Sequence, residues 1–243
     1  MSEHRLDIVL PCFRPPEGWT DRIVEASKFL SQRKEAISHR IILVNDGTPG
    51  GVPPWAIQQL AESLPAFLFV DQQINQGKGA ALRAGVEVAT APITIFTDID
   101  FPYTFASLEK LYFALASDKT DVAIGIKDSS YYAHLPQSRV RISRFLRWLA
   151  RTFLRISITD TQCGLKGFQA QAREVFLQTT ISRYLADLEF IFLVDRRKEL
   201  KMQAYEVKLR EGVVFSKVNL RILMTEGWNF LKVFVRSFGP ART

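Results

Sequence analysis

The stretch Thr94-Ile95-Phe96-Thr97-Asp98-Ile99-Asp100 joins a short apolar run to two carboxylates placed one residue apart. Residues 93–96 are β-branched or aromatic, which predicts a buried strand. Side chains alternate along a strand, so Asp98 and Asp100 point the same way if the extended geometry continues. Such a pair repels and needs a cation or a proton, and carboxylate oxygens suit Mg²⁺ or Mn²⁺. The alternative is that Asp98 ends the strand and Asp100 begins a turn before Pro102.

The composition favours one large domain with a substantial core. The chain has 243 residues, of which 47% are hydrophobic and 12% aromatic, and this is enough for a single packed unit. The net charge of +7 indicates an anionic partner, which could be a nucleotide, a phospholipid surface or a nucleic acid. No apolar run reaches the roughly 18–20 residues that span a bilayer. Cys12 and Cys163 are expected to be reduced thiols in a cytoplasmic protein.

Strands and helices alternate along the first half of the chain. The patterns predict strands over 6–10, 41–44, 67–70, 93–96 and 122–126, with helices over 20–33, 53–63, 80–88 and 108–116 between them. This order predicts an α/β fold with a mostly parallel sheet and helices on both faces. Further on, the patterns predict helices starting near residues 172 and 186 and a strand over 202–207.

Polar or turn-forming residues follow four of the predicted strands. They are Pro11, Asp46, Asn75 and Asp98. Ligands of open parallel sheets bind outside the carboxyl ends of the strands, so these residues predict a nucleotide site at one sheet edge. Asp46 has the alternative of a simple turn residue. Gly77-Lys78-Gly79 lacks the remaining P-loop residues, but its glycines allow close approach and the following helix end can attract anions with Lys78.

The second half of the chain is less regular and more basic. Residues 139–155 predict a helix with arginines among bulky apolar residues. This helix could dock on a membrane surface, pack on the core with a basic outer face, or bind nucleic acid. Residues 160–168 are interpreted as a polar segment between helices. The segment from residue 216 onward is again basic and aromatic, which is typical of a membrane interface or a partner contact.

Several motifs together resemble family 2 glycosyltransferases of the GT-A fold, most of all the dolichyl-phosphate (polyprenyl-phosphate) mannose and glucose synthases. The matching stretches, in order, are Val9-Leu10-Pro11, Val44-Asn45-Asp46-Gly47-Thr48, Asn75-Gln76-Gly77-Lys78-Gly79, Asp98-Ile99-Asp100, Ile142-Ser143-Arg144 and Asp160-Thr161-Gln162-Cys163-Gly164-Leu165-Lys166. The resemblance implies a Rossmann-like catalytic domain over residues 1–215, followed by an amphipathic helical tail over 216–243.

The resemblance also implies roles for individual residues. The base and ribose pocket would be lined by Pro11, Phe13 and Asp46, with Asn75 and Lys78 near the nucleotide. Asp98 and Asp100 would hold Mg²⁺ or Mn²⁺ against the donor diphosphate. The donor sugar would be faced by Gln162, Asp187 and Glu189. The acceptor phosphate would be held by Lys127, Arg139 and Ser143, with Ser216 and Lys217 closing over the phosphates.

Two departures from the family pattern stand out. Arg14-Pro15-Pro16-Glu17 follows the first strand where the family usually has Asn and Glu, and this affects the expected base pocket. Pro102 stands where mannose synthases have a side chain that helps to hold the metal. Many relatives carry C-terminal transmembrane helices, whereas this sequence has no apolar run long enough to span a bilayer. We therefore expect membrane attachment through its amphipathic helices or a partner subunit.

The predicted function is metal-dependent, inverting transfer of glucose or mannose from UDP-glucose or GDP-mannose to a polyprenyl phosphate. The expected location is peripheral, at the cytoplasmic face of a membrane, with a membrane subunit or a homo-oligomer as further options and without nucleic acid. A phosphate acceptor is already anionic, because its second pKa is about 6, and needs no general base. A soluble or glycan hydroxyl acceptor would need one, for which Asp187 or Glu189 is the candidate. The other alternative is a non-enzymatic basic protein that binds a membrane or nucleic acid.

Overall fold

The residues that the structure describes form a seven-stranded mixed sheet at the centre of the protein. The computed structural model describes residues 4–117, 119–127, 148, 150–154, 156–158, 163–213, 227, 229–231 and 233–235. The strands are β1 (Leu6–Cys12), β2 (His39–Asp46), β3 (Phe67–Gln72), β4 (Ile93–Phe96), β5 (Val122–Lys127), β6 (Lys166–Gln169) and β7 (Met202–Val207). Their order in the sheet is β3-β2-β1-β4-β6-β5-β7.

Helices cover both faces of this sheet. They are α1 (Trp19–Ser31), α2 (Pro54–Ser63), α3 (Lys78–Glu87), α4 (Phe105–Ala116), α5 (Ala170–Leu177) and α6 (Ala186–Asp195), with a π-helical turn at Ala150–Leu154. The strands β1 to β4 are all parallel, and β7 is parallel to β5. The predicted α/β fold with a mostly parallel sheet is therefore confirmed, and the predicted strand over 93–96 has the observed bounds.

One strand was missed because its sequence is not apolar. Residues 166–168 were interpreted as part of a polar segment, whereas Lys166–Gln169 forms β6. This strand runs antiparallel between β4 and β5. Lys166 and Phe168 are both fully buried, because β6 lies inside the sheet with a strand on each side. A buried lysine in a short strand gives no hydrophobic alternation from which the strand could be read.

The alternation of side chains along the strands builds one core on each face. Ile8 and Leu10 of β1 pack into the core beneath α1, α2 and α4. Val9 of the same strand packs into the core beneath α3, α5 and α6. β1 lies between β2 and β4, so the chain's direction of winding reverses there. In open α/β sheets a ligand site forms at the carboxyl end of such a reversal.

Several predicted elements lie wholly or mostly outside the described residues. Of the predicted helix over 139–155, only Trp148 and residues 150–154 are described, and all are helical. In the tail, residues 227, 229–231 and 233–235 are helical, and Val233 is buried in the second core. None of the described helices has the length and hydropathy needed to cross a membrane.

A cluster of phenylalanines ties β4 and β6 to the helices of the second core. Phe176 of α5 lies 5.4 Å from Phe96, 5.4 Å from Phe168 and 5.0 Å from Phe190, measured between ring centroids. We predict that Phe176→Ala lowers the free energy of unfolding by about 3–5 kcal/mol, because a large buried side chain leaves a cavity. Urea denaturation measures it. Phe113→Ala is the control, since Phe113 is exposed; equal losses in both variants would contradict this packing.

Candidate active site

A cavity of about 280 Å³ opens at the carboxyl ends of β1, β2 and β4. It is lined by Pro11, Cys12, Phe13, Asp46, Asn75, Gly77, Lys78, Asp98, Ile99, Arg183 and Tyr184. The structure thus brings together the six residues that were predicted to bind the nucleotide sugar: Pro11, Phe13, Asp46, Asn75, Lys78 and Asp98. These residues are far apart in sequence, but they follow parallel strands that end at the same edge of the sheet.

Asp46 organises the turn that precedes α3. Its Oδ1 accepts hydrogen bonds from the backbone N–H of Gln76 at 2.7 Å and of Gly77 at 3.0 Å. Asn75 Nδ2 donates to Oδ2 and to the carbonyl oxygen of Asp46, both at 3.0 Å. Asp46 is 2% exposed. Asp46 therefore fixes the turn that forms one wall of the cavity, a structural role that it has with or without a bound ligand.

The glycines at the start of α3 approach protein backbone. Gly77 has a φ of +101°, and a Cβ there would collide with the carbonyl oxygen of Ser182. A Cβ on Gly79 would lie 2.5 Å from the carbonyl oxygen of Ile181. The Ser182 carbonyl accepts the N–H groups of Gly79 at 2.8 Å and Ala80 at 3.3 Å. Two N–H groups in the first turn of α3 are therefore already used within the protein, and the expected anion site at this helix end stays a prediction.

Lys78 and Asp98 form an ion pair at the floor of the cavity, between Lys78 Nζ and Asp98 Oδ1. Burial raises the pKa of Asp98, but Lys78 and two further lysines, Lys166 and Lys127, outweigh burial and lower it below its usual value. Burial lowers the pKa of Lys78, and the Asp98 carboxylate outweighs this effect, so its pKa is raised. The Asp98 side chain is still 40% exposed, so it can also contact a ligand.

Asp100 lies close to Asp98, but on a turn instead of an extended strand. β4 ends at Phe96, and the N–H of Phe101 donates to the carbonyl oxygen of Asp98 at 3.0 Å. Burial, and next to it the negative charge of Asp98, raise the pKa of Asp100. The extended geometry therefore does not continue past β4, and of the two alternatives given by the sequence the turn before Pro102 is the one observed.

The two carboxylates fit a hard divalent ion as a partial ligand set. Gly164 lies directly against Asp98, since a Cβ there would be 2.5 Å from Asp98 Oδ2. Among the described residues there is no group of three or more metal-binding side chains. An ion at this position would need further oxygens, and substrate phosphates and water supply these in typical Mg²⁺ sites.

A second ion pair, between Lys166 and Asp187, lies deeper. Lys166 Nζ is 3.3 Å from Asp187 Oδ2 and also donates to the carbonyl oxygen of Cys163. Lys166 is 0% exposed and Asp187 is 8% exposed. Asp187 Oδ1 has no hydrogen-bond partner in the described part of the protein. A buried acceptor without a donor is costly. Asp187 is not among the residues that line the cavity, and its contact with the sugar stays a prediction.

Glu189 has a different surrounding from the one predicted. Its carboxylate accepts hydrogen bonds from the N–H of Thr180 at 2.8 Å, the hydroxyl of Thr180 at 2.9 Å and the N–H of Ile181 at 2.8 Å. It does not line the cavity. The expectation that Glu189 faces the sugar or acts as a base is corrected: it anchors the loop between α5 and α6.

The predicted acceptor residues are described only in part. Lys127 ends β5, is half-buried, and its charge helps to lower the pKa of Asp98. It lies outside the cavity lining. The other predicted residues of this group, and one predicted to face the sugar, lie outside the described residues: Arg139, Ser143, Ser216, Lys217 and Gln162. Their roles stay predictions.

Comparison with known proteins identifies the family of the chain. Residues 7–176 match the family model described as Glycosyl transferase family 2. The chain belongs to glycosyltransferase family 2. The predicted family membership is thereby confirmed, and with it the prediction of an enzyme that transfers a sugar.

Two relatives of this glycosyltransferase are named dolichyl-phosphate beta-glucosyltransferases. The protein of Drosophila melanogaster is 27% identical over 224 residues, which cover 84% of this chain and 66% of that protein. The protein of Trichomonas vaginalis is 24% identical over 238 residues, covering 95% of this chain and 73% of that protein. The glycosyltransferase chain described here therefore spans about two thirds to three quarters of the length of these relatives.

Solved structures support the fold of the glycosyltransferase. Glucosyl-3-phosphoglycerate synthase of Mycobacterium tuberculosis, crystallised with Mn²⁺, UDP and phosphoglyceric acid, superposes with a TM-score of 0.68 and 14% identity. The match covers 98% of this chain and 79% of that chain. At this identity the likeness shows the shared fold.

Sequence reasoning missed two residues of the glycosyltransferase cavity. Arg183 and Tyr184 both line it and are both exposed. They lie between α5 and α6, and no predicted strand end points to them. The signal in the sequence is the pair Gly77 and Gly79, because such glycines indicate that another segment approaches closely. In the structure that segment is the loop between α5 and α6.

The Lys166–Asp187 pair gives a stability prediction for the glycosyltransferase. Lys166→Met should lower the free energy of unfolding by about 3–5 kcal/mol, because the Asp187 charge is left buried without its partner. The double variant Lys166→Met/Asp187→Leu should regain most of this loss, because neither charge remains. Urea denaturation measures both.

The control for this comparison is Arg22→Ala, which breaks the exposed pair of Arg22 with Glu25. It should change the free energy of unfolding by less than about 1 kcal/mol. A double variant as unstable as Lys166→Met alone would contradict the coupling of the two buried charges.

Proposed function

We propose that this glycosyltransferase transfers a hexose, with glucose favoured, from a nucleotide sugar to a polyprenyl phosphate such as dolichyl phosphate. The names of the relatives support the acceptor class and the sugar. The observation that carries the proposal is the cavity at the carboxyl ends of β1, β2 and β4. It joins the ion pair of Lys78 and Asp98 to the turn held by Asp46. UDP-glucose is the first donor to test and GDP-mannose the second.

The proposal includes dependence on Mg²⁺ or Mn²⁺. Asp98 and Asp100 would hold the ion, since both are hard oxygen ligands that lie close together. Burial and then the Asp98 charge raise the pKa of Asp100, and a cation would favour its charged form. When bound, the ion would neutralise charge on the departing nucleoside diphosphate. Glucosyl-3-phosphoglycerate synthase of Mycobacterium tuberculosis, which shares the fold, was crystallised with UDP and Mg²⁺ and with UDP and Mn²⁺, which agrees with this choice.

The chain's own residues account for the remaining requirements of the transfer. Lys78, at the cavity floor, stabilises negative charge that develops on the leaving diphosphate. Asp187 Oδ1 accepts a hydrogen bond from a hydroxyl of the sugar, and Gln162 stays a candidate beside it. The acceptor phosphate is an anion at neutral pH, so it attacks the anomeric carbon without a general base. A single displacement from the side opposite the leaving group inverts that carbon.

The acceptor phosphate must be brought to a donor that is itself negatively charged. The proposed contacts are Lys127, Arg139, Ser143, Ser216 and Lys217. Cations in this region reduce the repulsion between the two phosphate-bearing substrates. The charge of Lys127 is one of those that lower the pKa of Asp98, after Lys78 and Lys166, which supports a place for it near the phosphates.

A long-chain polyprenyl acceptor requires access to a membrane, and we propose peripheral attachment at the cytoplasmic face. Large apolar side chains are exposed in and beside the π-helical turn and in the tail: Trp148, Phe153, Leu231 and Val235. Phe153 makes edge contacts with Trp148 at 6.0 Å and with Phe234 at 5.5 Å. These contacts join the exposed groups of the two segments into one apolar surface flanked by basic sequence.

Transfer to a lipid acceptor is the direct test of the proposal. Purified protein with labelled UDP-glucose, Mn²⁺ and dolichyl phosphate should give an organic-soluble glucosyl phosphate with inverted anomeric configuration. Asp98→Asn and Asp100→Asn should each lower the rate by about 100-fold or more, because charge stabilisation in such sites contributes several kcal/mol. EDTA should abolish the product and Mn²⁺ should restore it.

Asp21→Asn is the control for these variants, since Asp21 lies in α1 away from the cavity, and it should retain the rate. If neither UDP-glucose nor GDP-mannose gives a lipid product, the acceptor assignment is wrong. If Asp98→Asn keeps the wild-type rate with unchanged metal dependence, the metal assignment is wrong.

The apolar surface gives a second prediction. Trp148→Ser should weaken sedimentation with vesicles that contain phosphatidylglycerol by about fivefold, because an aromatic side chain leaves the lipid interface. Trp55→Ser is the matched control, since Trp55 is also exposed but lies on α2, and it should leave vesicle binding unchanged. Equal binding of both variants and wild type would contradict attachment through this surface.

A further inference from the structure

The loop between α5 and α6, residues 178–185, forms one wall of the cavity. Arg183 and Tyr184 of this α5–α6 loop line the cavity together with Lys78 and Asp98. Arg183 is exposed. Across the ranges of the chain that the structure describes, its guanidinium has no hydrogen bond or ion pair with another residue. The cavity therefore has an arginine side chain whose donors are available to a ligand.

The α5–α6 loop is held against the start of α3 by backbone contacts that only glycines permit. The Ser182 carbonyl accepts the N–H of Gly79 at 2.8 Å, and the missing side chain of Gly77 leaves room for it. The position of a Cβ on Gly77 would lie 3.1 Å from Cγ of Arg183. The aliphatic part of Arg183 thus rests on Gly77, next to Lys78, at the cavity wall.

Two buried or half-buried charged side chains fix the loop from behind. Glu189 accepts three hydrogen bonds from Thr180 and Ile181 and is 1% exposed. Arg83 of α3 donates to the carbonyl oxygen of Ile181 at 2.7 Å and to the hydroxyl of Ser182 at 3.2 Å. The residues immediately before Arg183 are consequently held in one position, which lowers the entropy lost when the loop contacts a ligand.

Of the described residues that line the cavity, Arg183 is the cation without a carboxylate partner. Lys78 is paired with Asp98, and the N–H groups of Gly79 and Ala80 in the first turn of α3 are used by the Ser182 carbonyl. A nucleoside diphosphate carries several negative charges, and a guanidinium matches phosphate oxygens with two parallel hydrogen bonds. An anionic ligand in this cavity would therefore find its strongest unused donor at Arg183.

We propose that Arg183 binds the diphosphate of the nucleotide sugar and that Glu189 is the positioning residue that holds Arg183 at the cavity. This inference rests on the proposed function, since it takes the ligand of the cavity to be a nucleoside diphosphate. It gives Glu189 a task that its predicted contact with the sugar does not explain, and it adds a binding residue to the donor site.

The test compares ligands with and without phosphates. Titration calorimetry with UDP and with GDP, each with Mn²⁺ and with EDTA, gives the diphosphate affinity of wild type and Arg183→Gln. The variant should bind the preferred diphosphate about 10- to 100-fold more weakly, which is the range for a lost hydrogen bond to a charged group. Affinity for the matching nucleoside, measured by saturation-transfer NMR, should stay the same. Arg183→Lys should give an intermediate loss.

Arg22→Gln is the matched control for net charge, because Arg22 is a partly exposed arginine of α1 away from the cavity. It should keep the wild-type affinity for the diphosphate. Melting temperatures of all variants accompany the titrations. Arg183 is exposed, so we expect Arg183→Gln to fold as the wild type does.

The role of Glu189 is tested by a double-mutant cycle. Glu189→Gln should weaken diphosphate binding, because the loop loses its anchor. In the Arg183→Gln background it should weaken binding further by no more than about twofold, since the residue it positions is gone. Independent losses that multiply in the double variant would overturn the positioning role.

The outcomes separate the inference from the proposed function. If the wild type binds neither diphosphate, the proposed function itself fails. If the wild type binds and Arg183→Gln binds equally well, or loses nucleoside and diphosphate affinity alike, the inference is overturned while the proposed function stands. If Arg183→Gln keeps its diphosphate affinity but raises the KM for dolichyl phosphate, Arg183 contacts the acceptor phosphate and the donor assignment is wrong.

Discussion

The site depends on where the fold places two carboxylates: one just after the C-terminal end of β4 and one in the first turn of α6. Asp98 follows a strand that is completely buried, and Asp187 lies in the first turn of a helix of which most residues are buried. Each carboxylate has one lysine as its partner, Lys78 in one case and Lys166 in the other. Lys166 offsets the cost of the buried Asp187 charge, whereas Asp98 is 40% exposed and is stabilised as a carboxylate by Lys78.

Two irregular parts of the fold bring these lysines to their carboxylates. Lys166 reaches Asp187 because β6 is inserted antiparallel between β4 and β5. The same insertion brings Gly164 against Asp98. Lys78 reaches Asp98 because α3 starts at the sheet edge, where glycines let the α5–α6 loop close over its first turn. The antiparallel strand and the glycine contacts are therefore part of how the protein assembles its charged cavity.

The parallel half of the fold could be predicted because its sequence is regular. The runs ending at Pro11, Asp46 and Asp98 are apolar and flanked by helices, so the sheet and the meeting of the strand ends followed from periodicity. β6 could not be predicted, because Lys166 and Gly167 carry no strand signal and its pairing is set by distant strands. Likewise, Glu189 was assigned to the sugar from the family resemblance, whereas its actual hydrogen bonds are to Thr180 and Ile181, in a loop that only the folded chain brings near. Arg183 was missed for the same reason.

The claim that this cavity binds a nucleoside diphosphate together with a divalent ion is tested most directly by ligand-dependent thermal stability. The melting temperature of the wild-type protein would be measured with UDP, GDP, UDP-glucose and GDP-mannose, each with Mn²⁺ and with EDTA. A ligand that binds only the folded state raises the melting temperature by mass action. We expect the melting temperature to rise with either the uridine or the guanosine nucleotides, and to rise more with Mn²⁺ than with EDTA. The absence of any rise with all four nucleotides, at millimolar concentrations with Mn²⁺, would contradict the account.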